Sequence, residues 1–359
     1  MKKLLISAGT RPNIIKITQF KKHAASFGLE VKILHTGQHY DHKMAQVFYD
    51  QFEVQPDFRQ DLKPGTVLEQ ITQMMHNVTE IIDAYKPDVL LTPGDVNSTF
   101  AAAYAAYQAK VPVGHIESGL RSDDRSMPEE INRILTDDIT DHFFITEKSG
   151  LENLKALGKS DAQLHMVGNT MIDTLVAFEP NIDQNDILKT LGVDGQYALF
   201  TFHRPGNVDD LNNLKKLVQL LSDASKRLKV VFPVHPRTIK MLEQAGLLAD
   251  LKANTQIVLT DPLDYFSFQK LVKHASVVIT DSGGIQEETT FRRVPCLTVR
   301  PNTERPSTVE IGSNTLLDFD VNDILAHLDR VLNGDYKKGQ IPPLWDGAAT
   351  QRILGTFGS

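Results

Sequence analysis

The stretch TDSGGIQEETT, residues 280–290, sets two glycines between Ser282 and the carboxylates Glu287 and Glu288, directly after the apolar run ASVVI. A glycine pair at the end of a strand lets a ligand approach the main chain closely. The first N–H groups of a following helix then point at that ligand, with the positive end of the helix dipole behind them. Ser282, Gly283 and Gly284 therefore suit an anion, and a phosphate fits. Glu288, a turn further in, is too acidic to hold phosphate, but a carboxylate accepts two hydrogen bonds from ribose hydroxyls. A purely structural turn is the alternative at this spacing. The chain has no G-x-G-x-x-G after its first strand and no G-x-x-x-x-G-K-[ST]. Neither a dinucleotide fingerprint nor an NTPase loop is available, so a nucleotide must be carried differently.

Other polar groups fall into the same kind of place. SAGTRPN, TGQHYD, TPGDVNST and GHIESGLRS each follow a short apolar run, and so do TFHRPGN, PVHPR, TDPLDY and TDSGG. Loops at the carboxyl edge of a parallel sheet are where such folds keep their chemistry. Glu117 comes immediately after an apolar strand, with a glycine and an arginine beside it, which favours function over packing. Asp95 follows a Pro-Gly turn and precedes a helix, where an N-cap role is as natural as a chemical one. Glu129 and Arg133 lie four apart on a helix expected to begin at Pro128, the spacing of an ordinary surface pair. Arg11, Arg204 and Arg305 all sit in loops, and the guanidinium fork suits phosphate oxygens.

The elements that position these groups alternate. KKLLIS, EVKILH, DVLLTP, VPVGHI, HFFIT and LHMVG read as strands, each followed by a segment of helical period. The alternation restarts with YALFTF, LKVVFPV, TQIVLT, ASVVIT and VPCLTV, after the polar stretch EPNIDQNDILKTLGVDGQ. Such alternation predicts parallel sheets with crossover helices. At 359 residues the chain exceeds what one core usually serves. The expectation is an α/β protein of two Rossmann-like, doubly wound domains facing a central cleft. Residues 1–175 form the first and 176–339 the second, with the hinge near the polar stretch. Residues 340–359 supply a Pro-containing crossover and a helix that joins the first domain.

Composition excludes several classes. No segment approaches the apolar length of a membrane span, and the N-terminal run LLI is too short for a signal-peptide core. A single cysteine, Cys296, lies in the apolar run VPCLTV, so a buried thiol in an unstapled cytoplasmic protein is expected. A net charge of −7 without a basic run argues against nucleic acid as a partner.

The motifs GTRP, TGQH, GHIESGLRS, PEEINR, GNTMID, HRPGN, DPLDY, DSGGIQEE and TERP occur in order through most of the chain. Together they resemble the non-hydrolysing UDP-N-acetylglucosamine 2-epimerases. The resemblance implies a GT-B-like fold, UDP held mainly by the second domain, and interconversion of UDP-GlcNAc with UDP-ManNAc as a source of bacterial cell-surface polysaccharide precursors. It makes Asp95, Glu117 and Glu129 the catalytic acids and His203 the phosphate-side histidine. Arg11, Arg204, Ser282, Gly283, Gly284, Glu288 and Arg305 become ligands of the UDP-sugar, with Phe268 near uracil. Taken one at a time, a core or capping histidine and a core aromatic are the common fates of His203 and Phe268. Gln38, His39 and His235 match an activating UDP-GlcNAc site. No metal or other cofactor is implied, and a homodimer is expected.

Two departures from that pattern stand out. Asn13 replaces the usual acid after GTRP, and GQHYDHKM reaches its methionine two residues late. The chemistry asked of the site is demanding, because C2–H of an N-acetylhexosamine is not acidic. Departure of UDP from C1 as the proton leaves C2 gives a glycal-like intermediate, and the reverse steps from the other face give the epimer. Carboxylates near C2 and cationic or N–H groups at the diphosphate meet that need. The alternatives are an epimerase of a modified UDP-HexNAc, a hydrolysing epimerase, a GT-B glycosyltransferase and a non-catalytic nucleotide-sugar binder.

Overall fold

The computed structural model describes residues 1–38 and 42–358. It divides into two compact units, Met1–Ala177 with Pro343–Ser359, and Phe178–Pro342.

The first unit is built on a parallel sheet of β1 (Lys2–Ala8), β2 (Leu29–His35), β3 (Phe58–Arg59), β4 (Val89–Pro93), β5 (Val113–Ile116), β6 (His142–Ile145) and β7 (Leu164–Met166). Their spatial order is β3-β2-β1-β4-β5-β6-β7. The second unit holds β8 (Tyr197–Thr201), β9 (Lys229–Pro233), β10 (Ile257–Thr260), β11 (Val277–Thr280), β12 (Cys296–Val299) and β13 (Asn314–Leu317), ordered β10-β9-β8-β11-β12-β13. All pairings are parallel. Helices cover both faces of such a sheet, so its central strands are apolar throughout rather than alternating; Leu4, Leu5 and Ile6 of β1 and Val277, Val278 and Ile279 of β11 are all buried. The expected α/β, GT-B-like class is the one found.

Each sheet reverses its winding once, between β1 and β4 in the first unit and between β8 and β11 in the second. Crossovers leave such a pair in opposite directions, so the loops after the two strands part and open a crevice at their carboxyl ends. The loops in question are residues 9–10 and 94–96, and residues 202–204 and 281–282.

Two strands escape the sequence pattern. Phe58–Arg59 and NTLL contain no apolar run to mark them, and both lie at sheet edges. The polar stretch beside the expected hinge is structured. It forms the helices Glu179–Asp183 and Ile187–Thr190, which pack on the helix Tyr265–His274 inside the second unit. The chain returns to the first unit through buried Trp345, whose Nε1 donates to the carbonyl of Thr146 at 3.0 Å. Asp173 then receives the N–H groups of Ala349 and Thr350, at 3.1 and 2.5 Å, and so fixes the start of the last helix, Ala349–Phe357. Cys296 is buried, and burial raises its thiol pKa. Among the described residues, no helix is long and apolar enough to cross a membrane.

Candidate active site at two topological switch points

In the first unit the loops after β1, β4 and β5 are stitched together by buried polar side chains. Thr10 caps the helix Arg11–Ile17. Asn13, on its first turn, accepts from the N–H groups of Gly9 and Thr10 at 3.3 and 3.2 Å and donates to the carbonyl of Pro93 at 2.9 Å. An ionised acid could not make the last bond, so the amide at this position ties the end of β1 to the end of β4. One turn on, buried Lys16 pairs with Glu117 Oε2. Gly94 makes room for them. Its φ is +75°, and a Cβ there would lie 3.1 Å from Lys16 Nζ and 3.3 Å from Asn13 Nδ2.

Glu117 itself has φ +72°. The left-handed region is costly for a residue with a Cβ and persists only where the surroundings over-determine it, which is typical of functional positions. Its N–H is bonded to the carbonyl of Phe144 at 3.0 Å, and the carboxylate is buried against Lys16. Asp95 follows the adjacent strand, where Pro93 pairs with Ile116. Asp95 is not an N-cap: the helix Asn97–Gln108 is preceded by Val96. The Asp95 carboxylate meets Arg133 instead.

The helix Pro128–Asp138 supplies that arginine and begins at the expected proline. Arg133 bonds Asp95 and, at 3.2 Å, Glu130 Oε2, rather than forming a mere surface pair. Buried Glu130 also accepts from Ser122 N and Oγ at 2.9 and 3.0 Å, which moors the loop after Glu117. Glu129, beside it, is half-buried on the first turn. Beneath these groups, His115 spans Asp137 and the carbonyl of Gly94, both at 2.7 Å. Burial alone would raise the Asp137 pKa, but His115 and Arg121 outweigh it and hold the carboxyl below its ordinary range. Arg11 is half-buried with its guanidinium 4.3 Å from the centre of the Phe48 ring. Gln38 Oε1 accepts from Ser98 N at 2.9 Å, and His39 lies outside the described residues.

The second unit uses the equivalent position differently. Asp281, directly after β11 and buried, accepts from the N–H groups of His203 and Arg204 at 3.0 and 2.9 Å. It also accepts from Asn207 Nδ2 at 3.2 Å and lies 2.9 Å from His203 Nδ1. The loop after β8 is thus folded onto one carboxylate. Burial would raise the Asp281 pKa, but these donors, His203 first, hold it low. His203 is 41% exposed, and with Nδ1 engaged its chemistry falls to Nε2. His235, the exposed N-cap of the helix Pro236–Gln244, lies with its ring 5.5 Å from that of His203.

Ser282 is the N-cap of the helix Gly283–Arg292, so Gly283 and Gly284 lie on its first turn, where N–H groups have no intrahelical partner. Arginine surrounds this turn. A Cβ on Gly283 would lie 3.1 Å from Arg305 Nη1 and 3.6 Å from Arg300 Nη1. Arg305 is held by Glu287 at 2.8 Å and by Glu304, and Glu304 holds Arg300 at 3.0 Å. Arg204, the N-cap of a short helix, lies close enough to Arg300 to lower its pKa further, after burial and against Glu304. Glu288 is buried, and desolvation pushes its carboxyl up to about 7 against the opposing effects of Gln269 and Arg292. Phe268 is half-buried against the core around Leu271 and Ile285.

Six participants were not singled out by sequence: Lys16, Glu130, Asp137, Asp281, Arg300 and Glu304. Asp281 carried a signal, as an acid at the mouth of the diglycine turn, and so did Arg300, shortly before TERP, and Glu304, within it. Lys16 and Asp137 carried none, because their partners come from other elements. Among the described residues, no group of three or more His, Cys, Asp or Glu side chains is placed to hold a metal ion.

The chain has relatives along its whole length. The family model described as UDP-N-acetylglucosamine 2-epimerase matches residues 21–357. A UDP-N-acetylglucosamine 2-epimerase of Methanocaldococcus jannaschii is 36% identical, with 98% of each chain covered. A UDP-2,3-diacetamido-2,3-dideoxy-D-glucuronate 2-epimerase of Pseudomonas aeruginosa is 35% identical, again with 98% of each covered. The crystal structure of the Methanocaldococcus jannaschii UDP-GlcNAc 2-epimerase in complex with UDP-GlcNAc and UDP superposes with a TM-score of 0.88 at 35% identity, covering 98% of both chains. The chain belongs to the UDP-N-acetylglucosamine 2-epimerase family.

Proposed function

We propose that the chain interconverts UDP-GlcNAc and UDP-ManNAc by eliminating and re-adding UDP, without hydrolysis. The observation that carries this is Glu117: a carboxylate held in left-handed backbone against a buried lysine, at the carboxyl edge next to a switch point. One carboxylate of the set Asp95, Glu117 and Glu129 removes the C2 proton. The C2–H electron pair forms the C1–C2 double bond, and the C1–O pair leaves with UDP. A second acid returns a proton to C2 from the opposite face, and UDP re-adds at C1. No atom is gained or lost.

The second unit is assigned to UDP. The first turn of the Gly283–Arg292 helix, with Arg204, Arg305 and His203, takes the diphosphate, Glu288 the ribose hydroxyls and Phe268 the uracil. Arg11, in the first unit, is assigned to the UDP-sugar as well. Gln38, His39 and His235 are assigned to an activating UDP-GlcNAc. The active form is a cytoplasmic homodimer.

In D₂O, product and slowly the recovered substrate should carry deuterium at C2, and prolonged incubation should leak UDP with an unsaturated sugar. Product without C2 deuterium would overturn the carboxylate assignments. Free N-acetylmannosamine as the main product would overturn the non-hydrolysing step. A modified sugar is the second reading, supported by the Pseudomonas aeruginosa relative, whose substrate admits the same elimination. Turnover of a diacetamido uronic acid in preference to UDP-GlcNAc would establish it.

A further inference from the structure

The three acids given to proton transfer stand on three separate pieces of chain, and one buried pair touches all three pieces. His115, on β5, places Nε2 2.7 Å from the carbonyl of Gly94, which directly precedes Asp95, and Nδ1 2.7 Å from Asp137 Oδ1. Asp137 Oδ2 accepts from the N–H of Gly119, just past Glu117, at 3.2 Å. Asp137 itself lies in the last turn of the helix Pro128–Asp138, whose first turn carries Glu129. The partners assign the protons. A carbonyl only accepts, so Nε2 donates. Asp137 also lies 2.7 Å from Arg121 Nη2, stays ionised and accepts from Nδ1. His115 is therefore a cation that donates at both ends of its ring.

We propose that His115 and Asp137 are positioning residues that set the distances among Asp95, Glu117 and Glu129, an inference that rests on the assignment of those acids to proton transfer. Both side chains are 0% exposed, so neither reaches a substrate. Other bonds hold the same pieces: Asn132 Nδ2 donates to the Asp95 carbonyl at 3.0 Å, and Asn153 Nδ2 to that of Gly119 at 2.9 Å. Each of those fixes one loop, whereas the His115–Asp137 pair ties both loops to the helix. A fully buried ion pair contributes little to stability, because desolvation offsets the attraction, and apolar side chains such as the neighbouring Val113 and Ile116 fill a strand at less cost. What the pair supplies is fixed direction, from two donors on one rigid ring.

The consequence lies in how the intermediate divides. After UDP leaves C1, the unsaturated sugar either regains a proton at C2 from the second acid or escapes with UDP. Escape does not involve the acids, so an acid out of place slows the return and raises the share that escapes. A displacement of about 1 Å costs up to about a hundredfold in rate. A return slowed about tenfold should raise free UDP per epimer about tenfold, and kcat should fall with it while KM changes little.

The test follows UDP-GlcNAc by NMR, counting epimer, free UDP and unsaturated sugar, for the native protein, His115→Asn, His115→Gln, Asp95→Asn and Glu117→Gln, with UDP affinity by calorimetry. In His115→Asn the amide nitrogen stands where Nδ1 was and still meets Asp137; in His115→Gln it stands where Nε2 was and still meets Gly94. The expected result for both is kcat lowered by about tenfold to a hundredfold, free UDP per epimer raised about tenfold, and UDP affinity near native. The ratio counts only molecules that turn over, so loss of folded protein leaves it unchanged. Should one variant melt before assay, the other carries the decision. A lowered rate at the native ratio means that His115 only packs, and a native rate means that it does not act; either overturns the inference. Asp95→Asn and Glu117→Gln separate the two levels. If both turn over at the native rate, the acid assignment fails and the inference with it. If they lose turnover while the His115 variants keep the native ratio, only the positioning role fails.

Discussion

The two units share a winding order and place polar loops at the same switch point, yet Asp281 and Glu288 of the second are treated differently from the acids of the first. In the first unit three acids meet a cation: Glu117 has buried Lys16, Asp95 has buried Arg133, and Asp137 has half-buried Arg121 beside His115. In the second, the loop acid Asp281 is consumed by the backbone it organises, and Glu288 is left buried with a raised pKa. Pairing an acid with a cation keeps it ionised and ready to take a proton, whereas leaving an acid undercompensated reserves its hydrogen-bonding capacity for a ligand. On the proposed reading, one scaffold serves proton transfer in one copy and ligand binding in the other, through residues at the carboxyl edge of each sheet and on the helices that follow.

The sharpest way to break this contrast is Glu117→Gln. The amide nearly preserves shape and the left-handed backbone but carries no proton, so epimer formation followed by NMR should fall by at least about a hundredfold. UDP affinity by calorimetry should stay near native. A parallel loss of UDP binding would show that the first unit's acids serve the nucleotide as well, and the division of labour would collapse.

The complementary change is Glu288→Ala. Losing two hydrogen bonds to a charged group should weaken UDP by roughly 3 kcal/mol, about a hundredfold. Unchanged UDP affinity with an intact fold would remove the nucleotide from this helix.

How much of this was legible in the sequence depended on distance along the chain. The strand runs, the diglycine turn and the loop acids are local patterns, and eleven of the strand segments were visible as apolar runs bounded by turn residues. The edge strands β3 and β13 were not, since two to four residues without an apolar run carry no period. The helices in the segment 179–191 carry no strong signal because the composition is polar, and they are held from outside: Glu179 by Lys273 and Arg292, Asp183 by Lys273. Side-chain pairing across elements was the larger gap. Lys16 with Glu117, and Arg133 with Asp95, join residues 101 and 38 positions apart, so neither partner announces the other. The sequence showed which acids stood at strand ends but not which cations would meet them.

A buried acid held for a ligand should cost stability, and this separates the units again. Glu288 is raised from 4.5 to about 7 on folding. The penalty is absent below the unfolded value, grows as pH rises between the two values, and is complete above about 7. Glu288→Gln should therefore stabilise the ligand-free protein at about pH 8, by at most roughly 3 kcal/mol, and have little effect near pH 4.5. Chemical denaturation at the two pH values measures it. Equal effects at both would mean that Glu288 is already compensated and that the contrast with the first unit is one of degree.

The smallest expected effect concerns Asn13, where the first unit departs from the acid usual after GTRP. Asn13→Asp retains the oxygen that accepts from Gly9 and Thr10, but an ionised carboxylate has no donor for the Pro93 carbonyl, now 2.9 Å from Nδ2. An unsatisfied buried carbonyl costs about 1–3 kcal/mol, so melting temperature should fall modestly. The new charge also arrives beside the pocket formed at Gly94, where Lys16 Nζ and Asn13 Nδ2 lie within 3.1 and 3.3 Å of the same point. There it competes with Glu117 for the lysine. Turnover should drop several-fold with KM for the UDP-sugar unchanged, because the competition touches proton transfer and not the nucleotide. A rise in KM instead would mean that the loop after β1 contacts substrate directly, and that the asparagine selects the sugar rather than tuning the acid.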